Sequence, residues 1–305
     1  MRYDAAVFTN LSRDHFDFHS DFEDYYQAKK RLFGLLKPGG KAVVNLDDDH
    51  GRRLAGELEK ELGGEHVITY GEKGRVAPRD VDLSEDGITM TVRTPDGRYK
   101  IESQLLGRFN VSNLTALAAT TWALDLPRQA VQRVLERLEP IPGRLEPVDA
   151  GQPFPVYVDY SHTPDSLKAA LEAVREMTGK KVLVVFGCGG DRDPGKRPIM
   201  GRIAGELADL PLVTSDNPRT EDPMKIIAAV EEGLKESGNP EYRVVPDRRE
   251  AIRRAISVAG PEWAVLIAGK GNEPVQIVGT ERQRFFDKEE AEKALEERFG
   301  PETSQ

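Results

Sequence analysis

The strongest constraint on the fold is an alternation that begins near residue 156 and runs to residue 268. Short β-branched and aliphatic runs stand at Val156–Asp159, Val182–Phe186, Leu212–Thr214, Tyr242–Val245 and Ala264–Ala268. Between them lie amphipathic stretches, at about Asp165–Met177, Pro198–Leu207, Pro223–Lys235 and Arg248–Val258, with apolar residues at helical spacing. Apolar runs joined through helices specify parallel strands buried on both faces, because parallel neighbours need long crossovers. The second half is therefore expected to be a doubly wound, Rossmann-like α/β domain. Such sheets bind ligands at the carboxyl ends of their strands, so the residues just after each run are the candidates for chemistry.

The first half is less regular. Ala5–Phe8 reads as a strand, Phe22–Leu36 as a helix and Ala42–Asn45 as the next strand. A more polar section from Val67 to Ile101 alternates at Ile88–Val92 and turns at Pro95, Asp96 and Gly97. It predicts antiparallel strands added to a mostly parallel sheet. Helices near Ser112–Leu124 and Arg128–Leu138 close this part. Pro140, Pro142 and Gly143 then interrupt any regular element, which places a boundary between domains 1–139 and 140–305. A chain of 305 residues is also longer than most single cores.

A formal net charge of -9 offers no diffuse cationic field to neutralise phosphates, so nucleic acid is not an expected partner. Cys188 is the one cysteine, which excludes an intrachain disulfide framework. No apolar run approaches the roughly 18 residues of a membrane span, and the N-terminus carries no basic-then-apolar signal pattern. The expected location is the cytoplasm.

Five strings could carry chemistry. Asn10, Asp14, His15 and Asp17 follow the first strand and could hold a hard cation such as Mg2+, or serve as helix caps. Phe22, Tyr26, Lys29, Phe33 and Leu36 fall on one stripe of a helix, which turns Lys29 inward and Lys30 and Arg31 outward. An inward lysine must snorkel, find a partner or lose its charge. Asp216, Asn217, Pro218 and Arg219 follow a strand. Arg219 offers a planar fork for a carboxylate and Asp216 an acceptor for an ammonium, although a helix-entry turn has the same composition. Gly269 to Glu273 ends the last core strand, either as a tight turn or as backbone that a ligand approaches closely. Gly190 to Arg197 has the spacing of a phosphate loop. Arg197 stands where Ser or Thr must meet Mg2+, however, and Pro194 removes a backbone donor. Arg192, Lys196 and Arg197 suit an anionic or zwitterionic substrate better.

Jointly these strings resemble the Mur ligases, and within them the branch that adds diaminopimelate. The carriers are Phe8 to His15, Ala28 and Lys29, Asn45 to Asp48, Gly107 to Asn113, and Pro142 to Arg144. Further along, they are Val158 to Pro164, Phe186 to Asp193, Ser215 to Glu221, and Gly269 to Glu273. The resemblance implies a partial central ATP-binding domain followed by a C-terminal amino-acid-binding domain. It implies an ADP-forming ligase of peptidoglycan precursor synthesis. That ligase takes UDP-MurNAc-L-Ala-D-Glu, meso-diaminopimelate and ATP as substrates, with Mg2+, and proceeds through an acyl phosphate. By the same resemblance His15 is a metal ligand, and Lys29 is carbamylated and reaches metal through its carbamate. Asn113 would contact adenine, Arg144 the ATP phosphates and Asp159 the ribose. Arg192, Asp216, Asn217, Pro218, Arg219, Gly269 and Glu273 would surround diaminopimelate.

The family's uridine-nucleotide domain and the Gly-rich loop ending in Gly-Lys-Thr have no counterpart in these 305 residues. The chain is expected to be a fragment with little ligase activity alone. Robust diaminopimelate-dependent ADP release from the purified chain would contradict that. Asn272 replaces the family's usual histidine and Ser161 its usual alanine. Two other readings remain. A folylpolyglutamate synthase is disfavoured by the Asp216 to Arg219 string. A non-catalytic diaminopimelate-binding module would bind the amino acid without hydrolysing ATP.

Overall fold

The computed structural model describes residues 1–14, 16 and 18–300. It divides into two compact units, Met1–Glu139 and Pro140–Gln305.

The first unit starts with β1 (Tyr3–Phe8), α1 (Phe22–Lys30), β2 (Leu36–Asn45), α2 (Asp49–Leu62) and β3 (Val67–Tyr70). The strands form a parallel sheet in the order β1-β2-β3. A separate antiparallel meander follows, β4 (Ala77–Ser84), β5 (Gly87–Thr94) and β6 (Gly97–Ser103). The unit ends with α3 (Arg108–Ala123) and α4 (Arg128–Leu135). α3 joins the two sheets. Val111, Leu114, Ala116, Ala118 and Ala119 share one core with Val43 and Ile68 of the parallel sheet and with Ile88, Met90 and Val92 of the meander.

The expected helix from Phe22 to Leu36 is corrected. The α-helical part stops at Lys30, Arg31–Leu35 tightens into a 3-10 turn, and Leu36 already begins β2. Each 3-10 residue advances about 120° rather than 100°, so the helical period does not extend past Lys30. Phe22 is 42% exposed, whereas Tyr26, Phe33 and Leu36 are buried. Lys29 and Lys30 are both half-buried, so the stripe does not distinguish them.

Their partners do. Lys30 Nζ donates to Glu57 Oε2 and Glu61 Oε1 of α2, each at 2.8 Å, and Tyr26 Oη donates to the same Glu57 oxygen at 2.9 Å. Arg53 completes the clamp, with Nε on Glu57 Oε1 at 2.9 Å. The Lys30 ammonium, helped by Arg53 and Tyr26 and opposed by partial burial, holds the Glu57 carboxyl at about 2, against an ordinary 4.5. A depressed carboxylate stabilises the fold fully above its unfolded value and loses that contribution as the pH falls through its folded value. Wild-type stability is therefore expected to fall between pH 4.5 and 2, and Glu57→Gln to flatten that slope in acid-unfolding curves.

The second unit contains β7 (Glu146–Pro147), β8 (Val156–Asp159), α5 (Pro164–Thr178), β9 (Lys181–Phe186), α6 (Lys196–Leu207) and β10 (Leu210–Val213). After these come α7 (Pro223–Ser237), β11 (Arg243–Val244), α8 (Arg248–Val258), β12 (Trp263–Ala268), β13 (Val275–Val278), β14 (Glu281–Arg284) and α9 (Asp287–Phe299). Six strands form one sheet in the order β11-β10-β9-β12-β8-β7, parallel except for β7. Val156, Val158, Leu183, Val185, Val265 and Ile267 bury one face against α8 and α9. The residues between them point the other way, toward α5, α6 and α7, and are buried too. Helix ends are specified locally. Thr163 and Ser166 cap α5 reciprocally, with Pro164 at its first position and Gly179 left-handed at its end.

Because β12 inserts between β8 and β9, the loops after β8, β9, β10 and β12 all leave the same carboxyl edge. The hairpin β13–β14 is a further element there. Among the described residues no helix is long and apolar enough to cross a membrane.

Candidate functional site

The best-defined site lies at that carboxyl edge. Asp216 and Asn217 are 7% and 3% exposed after β10, and Lys270 is fully buried after β12. Asp216 Oδ1 accepts from Asn217 N at 2.6 Å. The loops are tied together by side chains. Asn217 Oδ1 accepts from Lys270 Nζ at 3.2 Å and from Ile277 N at 2.9 Å, while Asn217 Nδ2 donates to Glu273 Oε2 at 3.0 Å. Gln276 Nε2 donates to Asp216 O at 2.7 Å. Gly269 has φ +118, a backbone conformation that favours glycine, and a Cβ there would press on the Asp216 carboxylate, with Oδ2 at 2.8 Å.

Arg219 is held from two sides. Its backbone sits at φ 51, a left-handed conformation unusual for arginine. Its N–H donates to Ile277 O at 3.1 Å and its carbonyl accepts from Gly279 N at 2.7 Å. Nη1 donates to Gly190 O at 2.7 Å. Nε and Nη2 find no acceptor among the described residues, so part of the fork stays available. Arg219 is half-buried rather than buried.

Asp191, also left-handed at φ 52, accepts from Thr220 Oγ1 at 2.8 Å, and its N–H donates to Glu221 Oε1 at 2.6 Å. Arg197 corrects an expectation. It is 5% exposed and pairs with both Glu221 oxygens, at 2.7 and 3.0 Å, so it ties the β9 and β10 loops instead of presenting charge to a ligand. That pair holds the Glu221 carboxyl below its usual range. Lys196 Nζ donates to His162 O at 2.7 Å. Arg192 is exposed, and its Nη1 donates to Asp191 O at 3.2 Å.

Asp159 closes β8 and is 4% exposed. Burial pushes its carboxyl up, opposed by hydrogen bonds from Ser161 and Leu145. Oδ2 accepts from Leu145 N at 2.8 Å, and Oδ1 from Ser161 N at 2.9 Å and from the Ser161 hydroxyl. Both oxygens thus hold the chain's own loop, which brings exposed Arg144 over the Tyr160 ring at 4.9 Å. Gly143 has φ +70, and a Cβ there would meet Asn272 N at 2.3 Å.

In the first unit, Asn113 is exposed on α3, with Nδ2 donating to Asn110 Oδ1 at 2.9 Å. Lys29 Nζ lies 4.9 Å from the Tyr25 ring centroid. The Glu57 and Glu61 carboxylates hold the Lys30 ammonium well above the ordinary lysine range. Of the expected cation string, His15 and Asp17 lie outside the described residues. Among the described residues no three His, Cys, Asp or Glu side chains gather in a way that could hold a metal.

Profiles of known families match both units, the Mur ligase middle domain over residues 1–121 and the Mur ligase glutamate ligase domain over 143–271. The chain belongs to the Mur ligase family. It is similar to the UDP-N-acetylmuramoyl-L-alanyl-D-glutamate–2,6-diaminopimelate ligase of Geobacter metallireducens, 44% identical over 97% of this chain and 61% of the relative. The ligase of that name from Gloeobacter violaceus is 45% identical, over 97% of this chain and 60% of the relative. A solved structure of a ligase of that name aligns over 96% of this chain and 60% of its own, with TM-score 0.61 and 37% identity. Folylpolyglutamate synthase from Mycobacterium tuberculosis aligns over 99% of this chain and 65% of its own, with TM-score 0.71. At 20% identity, that likeness shows the fold alone. The chain spans about 60% of the length of these curated Mur ligase relatives.

Sequence reasoning named Asp216, Asn217, Arg219, Gly269 and Glu273 from strand ends and glycines. It passed over Lys270, Gln276 and the Arg197–Glu221 pair. Lys270 stands inside a string already singled out, and a lysine between two glycines after a core strand was the available signal.

Proposed function

We propose that the second unit is the acceptor-amino-acid domain of a diaminopimelate-adding ligase, and the first unit part of its ATP-binding domain. The observation that carries this is the left-handed, doubly anchored Arg219, whose fork, fixed by Nη1 on Gly190 O near Asp191, stands on the same carboxyl edge as the loops of Asp216 and Glu273. Meso-diaminopimelate bears two ammonium and two carboxylate groups. Asp216 and Glu273 would accept from an ammonium, and Arg219, with Arg192 at the rim, would pair with a carboxylate. Asn217 and Pro218 would shape the floor. The whole enzyme would use ATP, with Mg2+, to convert the glutamate carboxylate of UDP-MurNAc-L-Ala-D-Glu into an acyl phosphate. The remaining free amine would attack it and release phosphate. Holding that amine in place is the contribution of this unit. Asn113 would meet adenine, Arg144 the phosphates and Asp159 the ribose side of the nucleotide. The natural setting is the cytoplasm.

Lys29 would be carbamylated, as His15 would be a metal ligand. Carbamylation needs an unprotonated amine, and the two carboxylates on Lys30 keep that neighbour charged. A carbamate resonance from 13C-bicarbonate is expected in the wild type and in Lys30→Ala, and absent in Lys29→Ala. Its persistence in Lys29→Ala would refute the assignment.

The proposal is tested by titrating the 15N-labelled chain with meso-diaminopimelate. Amide shifts are expected at Asn217, Arg219, Gly269 and Glu273. Saturable shifts confined to other surfaces would overturn it.

A further inference from the structure

Lys270 is a fully buried ammonium that the proposed chemistry does not use. Its Nζ lies 2.6 Å from Val275 O, 3.2 Å from Asn217 Oδ1 and 3.3 Å from Glu273 Oε2. A lysine ammonium has three hydrogens, and three acceptors surround this one, so none remains for a ligand. Its effect on the site must be indirect.

That effect is specific. Asn217 Oδ1 takes two donors, Lys270 Nζ and Ile277 N, which fixes the orientation of the amide and sends Nδ2 to Glu273 Oε2. Glu273 Oε2 is thereby engaged twice, by a cation and an amide. Among the described residues Oε1 meets only the Tyr160 hydroxyl, at a long 3.3 Å. One carboxylate oxygen is locked and the other is offered to the pocket. Val275 O ties the same ammonium to the start of the hairpin, whose Ile277 carbonyl holds the Arg219 N–H. One buried cation thus connects the acceptor expected for a ligand ammonium with the donor expected for a ligand carboxylate.

We infer that Lys270 is a positioning residue for the acceptor amino acid, orienting Glu273 and Arg219 together through Asn217 and the Val275–Ile277 backbone. This rests on the reading of the pocket as the amino-acid site. Lys270→Met keeps the unbranched side chain to within one atom of its length and removes the charge. Calorimetry is expected to show meso-diaminopimelate binding weakened by about tenfold or more, from the loss of charge-assisted bonds. In a Glu273→Gln background the same substitution should add less than about threefold, because Lys270 acts largely through Glu273. Fully multiplying losses, or wild-type affinity in Lys270→Met, would overturn the inference.

Absence of binding by the wild-type chain would instead refute the pocket reading, and amide exchange of the unliganded chain then decides the role of Lys270 alone. The Ile277 and Arg219 amides should exchange about tenfold faster in Lys270→Met, and unchanged protection would overturn the inference. Should Lys270→Met fail to fold, Lys270→Met with Glu273→Gln removes both charges of the pair. Exchange at the same amides is then compared with Glu273→Gln alone, where faster exchange supports the inference and unchanged protection overturns it.

Discussion

Replacing Asp287 with alanine is expected to lower the unfolding free energy of the second unit by about 3–5 kcal/mol. Arg248 and Asp287 are both fully buried, at the starts of α8 and α9. Nε and Nη2 of Arg248 meet the two Asp287 oxygens at 2.7 Å each, and Nη2 also reaches Ala268 O at 2.9 Å. Despite full burial, Asp287 and the more distant Asp216 and Glu273 keep the guanidinium above its ordinary range. Without Asp287, that charge stays in the core with its nearest counter-charge gone. Removing both groups, as Arg248→Met with Asp287→Leu, should cost far less, since an apolar pair of similar volume often replaces a buried ion pair. Urea unfolding of the two variants checks this. A loss below about 1 kcal/mol for Asp287→Ala would show that the core tolerates the unpaired arginine.

The second large effect concerns Arg219. Arg219→Ala is expected to weaken meso-diaminopimelate binding by about 10- to 100-fold and to leave lysine binding within about threefold of wild type. Bonds between charged groups in a partly desolvated site contribute about 1.5–3 kcal/mol, and lysine has no second carboxylate to lose. Arg219→Lys should recover little, because an ammonium lacks the fork and its backbone would still occupy φ 51. Equal losses for both amino acids would mean that Arg219 only shapes the loop.

The central strands β8, β9, β10 and β12 were legible because they are largely apolar and buried on both faces, whereas the short edge strand β7 (Glu146–Pro147) carries no such run. The hairpin was not. Glu281–Arg284 is exposed along its whole length, so β14 carries no hydrophobic alternation to read. Helix α9 was missed too, its buried Ala291, Ala294 and Leu295 set among charged residues. In the first unit, the stripe through Lys29 failed at Phe22, exposed where α1 begins, and it did not separate Lys29 from Lys30, which are both half-buried.

Candidate site residues were legible by place, since loops at the carboxyl edge of a parallel sheet can be named from the strands alone. Their bonding was not. Arg197 looks like a ligand-facing cation until Glu221, 24 residues away, is seen to pair with it. Asp159 looks like a free carboxylate until Leu145 and Ser161 are seen to hydrogen-bond to both of its oxygens. Such pairings join distant loops, and only the fold brings them together.

Above all, we propose that the carboxyl edge of the second unit receives an amino acid with a second carboxylate. Calorimetry of the wild-type chain with meso-diaminopimelate and with L-lysine, under one buffer, tests this most directly. The expected result is a dissociation constant lower for meso-diaminopimelate by about tenfold or more. Equal affinity for the two, or preference for lysine, would contradict it.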